Sequence, residues 1–558
     1  MRWQRWLSGW LAAALTALVC GPELAAEVAP VQTVSTNKPA PKPTVKTLDD
    51  EEPDDKGHAA ADAAAAAFFV GPIQRFEVQI SSENMMSLRM QRRKPVSATL
   101  KVGGNVFTNI AVHVKGAAGS TRSVDDNPAL TLSLDKWVPG QRYSGLTKFH
   151  LNNSVQDGSL LNESVAAFLY ARAGVPTARS THALVTLNGR DLGIYVFKEG
   201  YNRSFLRRQF GTSAGNLYDG GFLQDVDQDL ERDVGDGEDT HEDLHKLAAA
   251  TRIGNAAKRR AAMEKLVDVN RFITMAVIQG FTGDWDGYAQ HHNNYRTFHN
   301  AATDKFTFIP HGMDQLFEDI YRDVAPGWEG LVADAIFNDP EWTQQFWTEM
   351  EKFVGPGLDE ALKKHFADVH QRLDPVFAKR PADERWRRGQ LVEKEHAVMA
   401  RLAQVREQVA RRPRPVKFGT DGTVALDHWE QHPGNGEVEF KIVPGEGKGQ
   451  LLRLVAEQRS SAGSWRSRLH LFPGRYSYSA RIKTARVDPY NVERMQGGAG
   501  IRISGSLPTS RFKGDTEWQT MTYEFEITDV RDVEFVAELR ANVGEVYFDL
   551  GSMRLKKM

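Results

Sequence analysis

Between Phe281 and Phe317 the chain reads FTGDWDGYAQHHNNYRTFHNAATDKFTFIPHGMDQLF. Asp284, Asp286, His291, His292, Asn293 and Asn294 crowd into the first part of this stretch, and Asp314 lies near its end. These are side chains that move protons or bind hard cations. One carboxylate can orient an attacking hydroxyl or accept its proton, while a second, with a nearby amide, holds a divalent ion against phosphates. The chemistry they suit is phosphoryl transfer. The same residue types also cap turns, so a purely structural role competes with this reading.

What must position them is a hairpin. Tyr295–Phe298 is rich in β-prone residues. Lys305–Pro310 alternates polar and apolar and ends on proline, as a strand end does. The order is loop, strand, turn, strand, loop. Both loops then emerge at one end of the hairpin, where Asp286 and Asp314 can face each other.

Upstream, four segments alternate as strands: 76–80, 97–102, 110–114 and 130–134. Lys115, a run of small residues from Gly116 to Ser120, and Arg122 lie between the last two. A small-residue loop lets backbone amides approach phosphate, though it is equally an ordinary hairpin turn. Residues 159–173 have helical spacing and stop at Gly174. Residues 182–187 and 193–197 form a hairpin across Asn188-Gly189, with Glu199 after it. Glu199 could meet a nucleotide, pair with a lysine, or cap the helix starting near Asn202. Asp225, Asp227 and Asp229 begin an acidic loop, but Leu230 and Asp236 stand where a calcium loop needs Gly and Glu, so it reads as a solvated loop. Helical patterns cover 245–251, 256–266 and 269–279, and again 342–353, 358–373 and 390–409.

Over roughly 75–410 these residues resemble the spore-coat protein H (CotH) kinases, a family of atypical protein kinases. The resemblance is carried by Asp286-Gly287-Tyr288, Asn294-Tyr295 and the stretch Ile309 to Asp314, with Leu151-Asn152-Asn153, Gln156-Asp157, Leu187-Asn188-Gly189, Gly193-Ile194-Tyr195 and Glu199 upstream. It implies a two-lobed atypical kinase-like domain using ATP and Mg²⁺. Asp286 is then the catalytic acid/base, Asp314 with Asn294 or Asn293 holds the metal, Lys115 or Arg122 meets the phosphates, and Glu199 organises the nucleotide side. The sequence departs from the family pattern at four places. Gly312 replaces the first Asp of the family's Pro-Trp-Asp-x-Asp element, Lys115-Gly116-Ala117 its Arg-Gly-x-Ser loop, Asp126-Asn127-Pro128 a Lys-rich stretch, and Asn162 an Arg.

The 558 residues carry a formal charge of −2, which gives no general pull toward nucleic acid or anionic membrane. Residues 1–26 resemble a secretory signal, with Arg2 and Arg5, a short apolar core and Leu24-Ala25-Ala26. The core is too short to span a bilayer. Cys20 is the only cysteine, so cleavage after Ala26 leaves a mature protein without disulfides. Residues 27–66, with an acidic run and an alanine tract, read as a disordered linker. After Pro415 the pattern switches to about eight short strands, the mark of an all-β sandwich of jelly-roll type. Its Pro473–Tyr476, Thr516–Gln519 and Val546–Asp549 segments look like carbohydrate-binding modules, with Trp429, Trp465 and Tyr490 as candidate sugar platforms or core residues.

The expected architecture is therefore α+β: signal segment 1–26, linker 27–66, kinase-like domain 67–412, and β-sandwich 416–558. The expected function is a secreted bacterial kinase (periplasmic, cell-surface or extracellular) acting on Ser or Thr of an envelope or extracellular protein. Its alternative is a non-enzymatic surface or matrix protein with a polysaccharide-binding module. Mass spectrometry of the mature protein should find its N-terminus just after Ala26; an intact Met1 or a lipid on Cys20 would contradict the signal reading.

Overall fold

The computed structural model describes residues 55–558, apart from 118, 382–384, 413–415, 446–448, 491–496 and 529. The expected signal segment and most of the expected linker lie outside the described residues. The end of that linker is a helix instead, α1 (Asp55–Val70). Alanine is the strongest helix former, and here the helix is docked: Ala65 and Phe69 are buried in the first-lobe core. Asp62 adds a 2.9 Å ion pair to Arg179. The domain therefore begins before residue 67.

The first lobe is a closed barrel in the order β1-β2-β3-β4-β5-β7-β6. Its strands are β1 (Gln74–Ile80), β2 (Val96–Val102), β3 (Asn105–Lys115), β4 (Ala129–Ser133), β5 (Lys148–Asn152), β6 (Ser180–Leu187) and β7 (Arg190–Glu199). The parallel pairing of β1 with β6 closes it. Phe76, Phe149 and Phe197 fill the interior with fully buried rings. α2 (Ser82–Met90) and α3 (Asn162–Arg172) flank the barrel, and α4 (Arg203–Phe210) leads out of it. Asn202, not Glu199, caps α4 by accepting from Phe205 N.

The second lobe holds a four-stranded sheet of order β11-β10-β8-β9, made of β8 (Gly215–Asp219), β9 (Glu231–Val234), β10 (Tyr295–Asn300) and β11 (Lys305–Pro310). Around it pack α5 (Glu242–Thr251), α6 (Ala256–Leu266), α7 (Val269–Thr282), α8 (Tyr288–His291), α9 (Leu331–Phe337), α10 (Pro340–Phe353), α11 (Leu358–Phe377) and α12 (Trp386–Ala410). The acidic loop is not simply solvated. Asp225 is buried and accepts from the Tyr288 hydroxyl and from Val226 and Leu331 N. No helix among the described residues is long and apolar enough to cross a membrane.

From Thr423 onward the chain is almost entirely strand: β12 (Thr423–Ala425), β13 (Glu430–Pro433), β14 (Val438–Pro444), β15 (Gln450–Ala456), β16 (Ser461–Leu471), β17 (Gly474–Pro489), β18 (Gly498–Ile503), β19 (Gly514–Ile527), β20 (Arg531–Asp549) and β21 (Arg554–Lys557). The sequence pattern suggests separate strands at 533–539 and 546–553, but they are largely one, β20, which pairs with β16 and β18 early and with β15 and β17 later. Trp465 is 2% exposed and packs against Phe440, so it is core and not a sugar platform. Trp429 is half-buried against the same core and donates to Leu426 O.

One ion-pair cluster ties the β10–β11 hairpin to α5. His299 lies between Asp243 and Asp304, 3.0 Å from each. Burial opposes its charge, but the two carboxylates outweigh burial and raise its pKa. A raised folded pKa contributes stability that is fully present below the unfolded value near 6.5 and is lost as pH rises through the folded value. His299→Gln should therefore lower the melting temperature more at pH 6 than at pH 9. An equal loss at both would contradict the charged pair.

Candidate active site

The β10–β11 hairpin brings its two loops to one end, as its pattern predicts. Tyr295 pairs with Pro310, and His311 N donates to Asn294 O at 3.0 Å. Asp286 is gripped from both sides: Asn293 Nδ2 donates to one carboxylate oxygen at 2.9 Å and Asn294 Nδ2 to the other at 2.7 Å. The oxygen of Asn293 is also used, accepting from Leu223 N at 3.2 Å. Asn293 therefore positions Asp286 instead of standing free as a metal ligand.

Gly312 has φ +59°, and a Cβ there would stand 2.4 Å from Asn294 Oδ1. The position that carries Asp in the resembling family is here both left-handed and already filled by the Asn294 amide. Asp314 follows, half-buried. Its carboxyl is pushed up to about 7, by burial first and then by Glu163, with Lys115 and Lys198 opposing. Asp284 is buried and likewise pushed up to about 7, by burial, then Asp286, with Asp314 and Glu163 adding to it. The sequence reading placed no role on Asp284, yet it is the group that feels both Asp286 and Asp314.

Across from these acids stands the first lobe. Lys115, at the end of β3, donates to Asn152 Oδ1 at 2.7 Å. Its pKa falls to about 8, through burial and the nearby Lys198, with Glu163 and Asp314 opposing. Arg122 curls onto its own loop, donating to Gly119 O and Thr121 O at 3.0 and 2.8 Å. The Leu151-Asn152-Asn153 and Gln156-Asp157 segments prove to be the scaffold of this wall. Asn152 holds Lys115, Asn153 donates to Ser120 O and Asn127 O, and Asp157 accepts from Asn162 N at the start of α3.

The lysine–glutamate pair of the lobe is Lys198 with Glu163, 2.9 Å apart and almost wholly buried. Glu199, one residue on, faces elsewhere: Arg179 and Arg208 hold it at 2.8 and 2.5 Å. Of the roles open to Glu199 in the sequence, pairing with a lysine gives way to an arginine clamp. Strand alternation is the reason, since neighbours on β7 point to opposite faces. Glu163 also accepts from Met313 N at 3.2 Å, and Asn162 Nδ2 donates to Asp314 O at 2.8 Å. Both contacts fasten the Asp314 loop to α3. Buried His150 and half-buried His311, also missed in the sequence, lie nearby; burial and then the surrounding cations hold both well below the usual histidine value.

Among the described residues, no group of three or more His, Cys, Asp or Glu side chains is gathered tightly enough to hold a metal ion. The donors present still suit a hard cation in kind. They are carboxylate and amide oxygens, and Asp284 is raised by burial and then by Asp286 and Asp314, a cost that a cation relieves.

A mixed α and β domain with a buried Lys–Glu pair beside an acid-rich loop has the outline of a kinase-like protein. Residues 112–385 match the family model described as CotH kinase protein, and that part of the chain is CotH-like. It is similar to the inner spore coat protein H of Bacillus subtilis (strain 168), at 24% identity over 191 residues, covering 31% of this chain and 50% of that protein. The chain thus spans about half the length of that curated relative. Among solved structures, the Helicobacter pylori proinflammatory kinase CtkA aligns over 50% of this chain and 94% of its own at 12% identity and TM-score 0.22. TmCBM61 in complex with β-1,4-galactotriose aligns over 24% and 91% at 10% identity and TM-score 0.18.

Gly312→Asp restores the family residue, and the account expects it to destabilise the protein. Left-handed backbone costs a non-glycine residue about 1–2 kcal/mol, and the collision with Asn294 adds to that. Pairing the substitution with Asn294→Ala should recover part of the loss in a denaturant melt. A Gly312→Asp protein as stable as wild type would contradict this packing.

Proposed function

We propose that the chain is a divergent CotH-type kinase that passes the γ-phosphoryl group of ATP to a Ser or Thr hydroxyl of an extracellular or envelope protein. What supports the reading is that Asp286 is held by two amides, that Asp284 feels the charge of both Asp286 and Asp314, and that Asp314 feels that of Lys115. Asp286 orients the acceptor hydroxyl and takes its proton; Asn293 and Asn294 fix its carboxylate for that task. Lys115, at the edge of the glycine loop, sits where burial makes its charge costly, so a phosphate is a natural partner for it. Arg122 serves the same loop. Glu199 acts at one remove, by fixing the end of β7 through Arg179 and Arg208. Mg²⁺, when bound, neutralises charge on the phosphates, with Asp314, Asp284 and the oxygen of Asn294 as its holders. The module from residue 416 is read as a jelly-roll-type sandwich that attaches the enzyme to polysaccharide, and the protein as secreted.

A second reading is a non-enzymatic surface protein, favoured by one feature: Asn294 fills the place of the family's first Asp side chain. Incubation with γ-labelled ATP, Mg²⁺ and an envelope protein fraction separates the two. Wild type should transfer label to Ser or Thr, and Asp286→Ala should lower the rate by about 10²–10⁴-fold, the usual worth of a positioned base. Label transfer unchanged in Asp286→Ala, or absent in wild type with well-folded protein, favours the non-enzymatic reading.

A further inference from the structure

Strand alternation in the C-terminal module sends Phe535, Ala537 and Leu539 of β20 into the core and leaves Val536, Glu538 and Arg540 on the opposite face. On β16, Trp465 pairs with Ala537 on the core side, while Ser464, Arg466 and Arg468 oppose Glu538, Val536 and Glu534 on the other. On β18, Gly500 and Arg502 complete that face. Arg511 reaches it from the next segment, which a bridge between Ala499 and Phe512 lays beside β18. A Cβ on Gly500 would stand 3.4 Å from Arg511 Cδ, so the arginine stem passes directly beside this glycine on its way to Glu538.

The charges on this face do not balance. Arg502 grips Glu538 at 2.8 and 3.0 Å, Arg540 reaches it at 3.4 Å, and Arg511 pairs with the same carboxylate. Arg466 and Arg468 share Glu534 at 2.6 and 3.1 Å. Five guanidinium groups therefore meet two carboxylates. Arg511 is only 4% exposed, and two of its nitrogens, Nε and Nη1, have no hydrogen-bond partner. Burial opposes its charge, and Arg502 and Arg540 add to that opposition. Buried cations in excess are costly unless an anion joins them, and guanidinium forks fit flat two-oxygen anions best.

We propose that this arginine face binds an acidic polysaccharide, a sugar chain bearing carboxylate groups, through Arg466, Arg502, Arg511 and Arg540. The proposal rests on the reading of the module as polysaccharide-binding and adds the chemical class of the sugar. Arg466 and Arg540, on paired strands, are the partly exposed members of the array, and Arg502 and Arg511 are largely buried beside them. The protein as a whole is near neutral, without the broad basic field that nucleic-acid binding draws on. Aromatic platforms are absent from these strand positions, so charge replaces stacking as the recognising force.

The test uses the full chain in affinity electrophoresis and calorimetry with polygalacturonate, its neutral methyl ester, β-1,4-galactan and duplex DNA. Polygalacturonate should bind, the ester at least about tenfold more weakly, and the polygalacturonate affinity should fall as salt rises. The double variant Arg466→Gln/Arg540→Gln should lose at least about tenfold in affinity with its melting temperature kept. If that variant melts early, the single variant Arg540→Gln, at the most exposed of the four, should still weaken binding measurably. Equal binding of polygalacturonate and its ester, or of galactan alone, would overturn the arginine proposal and leave the polysaccharide-binding reading standing. No binding to any of the three polysaccharides would overturn both. Duplex DNA bound as tightly, and weakened by the same variant, would mark a general anion surface and also overturn the proposal.

Discussion

The buried pair of Lys198 and Glu163 is the contact on which the cleft depends. Two charges at 0% and 3% side-chain exposure survive only because each neutralises the other. Removing one partner of such a pair costs about 3–5 kcal/mol, since the other is left buried and unpaired. The pair does more than join β7 to α3. Glu163 also accepts from Met313 N, and its neighbour Asn162 holds Asp314 O, so the acidic loop of the second lobe is registered against the first. The same charges set the local electrostatics: Glu163 raises Asp314 and helps raise Asp284, while Lys198 lowers Lys115.

Around this pair, polar side chains do the work of a frame. Asn152, Asn153 and Asp157 each hold a different part of the wall near Lys115. The Tyr195 hydroxyl donates to Pro128 O at 3.0 Å, securing the far end of the loop. Tyr201 donates to Pro310 O at 3.0 Å and so links the first lobe to the end of β11. Buried polar groups must be satisfied, and here the satisfying partners come from distant segments, which fixes the lobes' local geometry at the site.

The hairpin around Asp286 and Asp314 was legible because its period, its proline end and its turn residues all agreed. The module's strands were legible for the same reason, though the unbroken course of β20 was not: the Gly544 region resembles a turn in sequence but is a strand passing between two sets of partners. The helix from Asp55 was misread because an alanine tract carries no amphipathic signal, and only docking of Ala65 and Phe69 distinguishes it from linker. The sequence pointed to Glu199 and passed over Glu163 and Lys198. Which glutamate faces which cation depends on strand alternation and on a helix from another part of the chain. Likewise Asp284 is one carboxylate among several in the sequence until burial leaves it feeling the charge of both Asp286 and Asp314.

The proposed kinase reading requires this cleft to hold a nucleotide's phosphates between Lys115 and the acids of the hairpin loops. The most direct measurement is the melting temperature with and without Mg²⁺ and ATP, for wild type and Lys115→Met. A ligand at a hundred times its dissociation constant adds about 2.7 kcal/mol to stability. Wild type should show a clear upward shift in Mg²⁺-ATP, smaller in ATP alone, and largely lost in Lys115→Met. No shift in wild type, or an equal shift in both proteins, would contradict it.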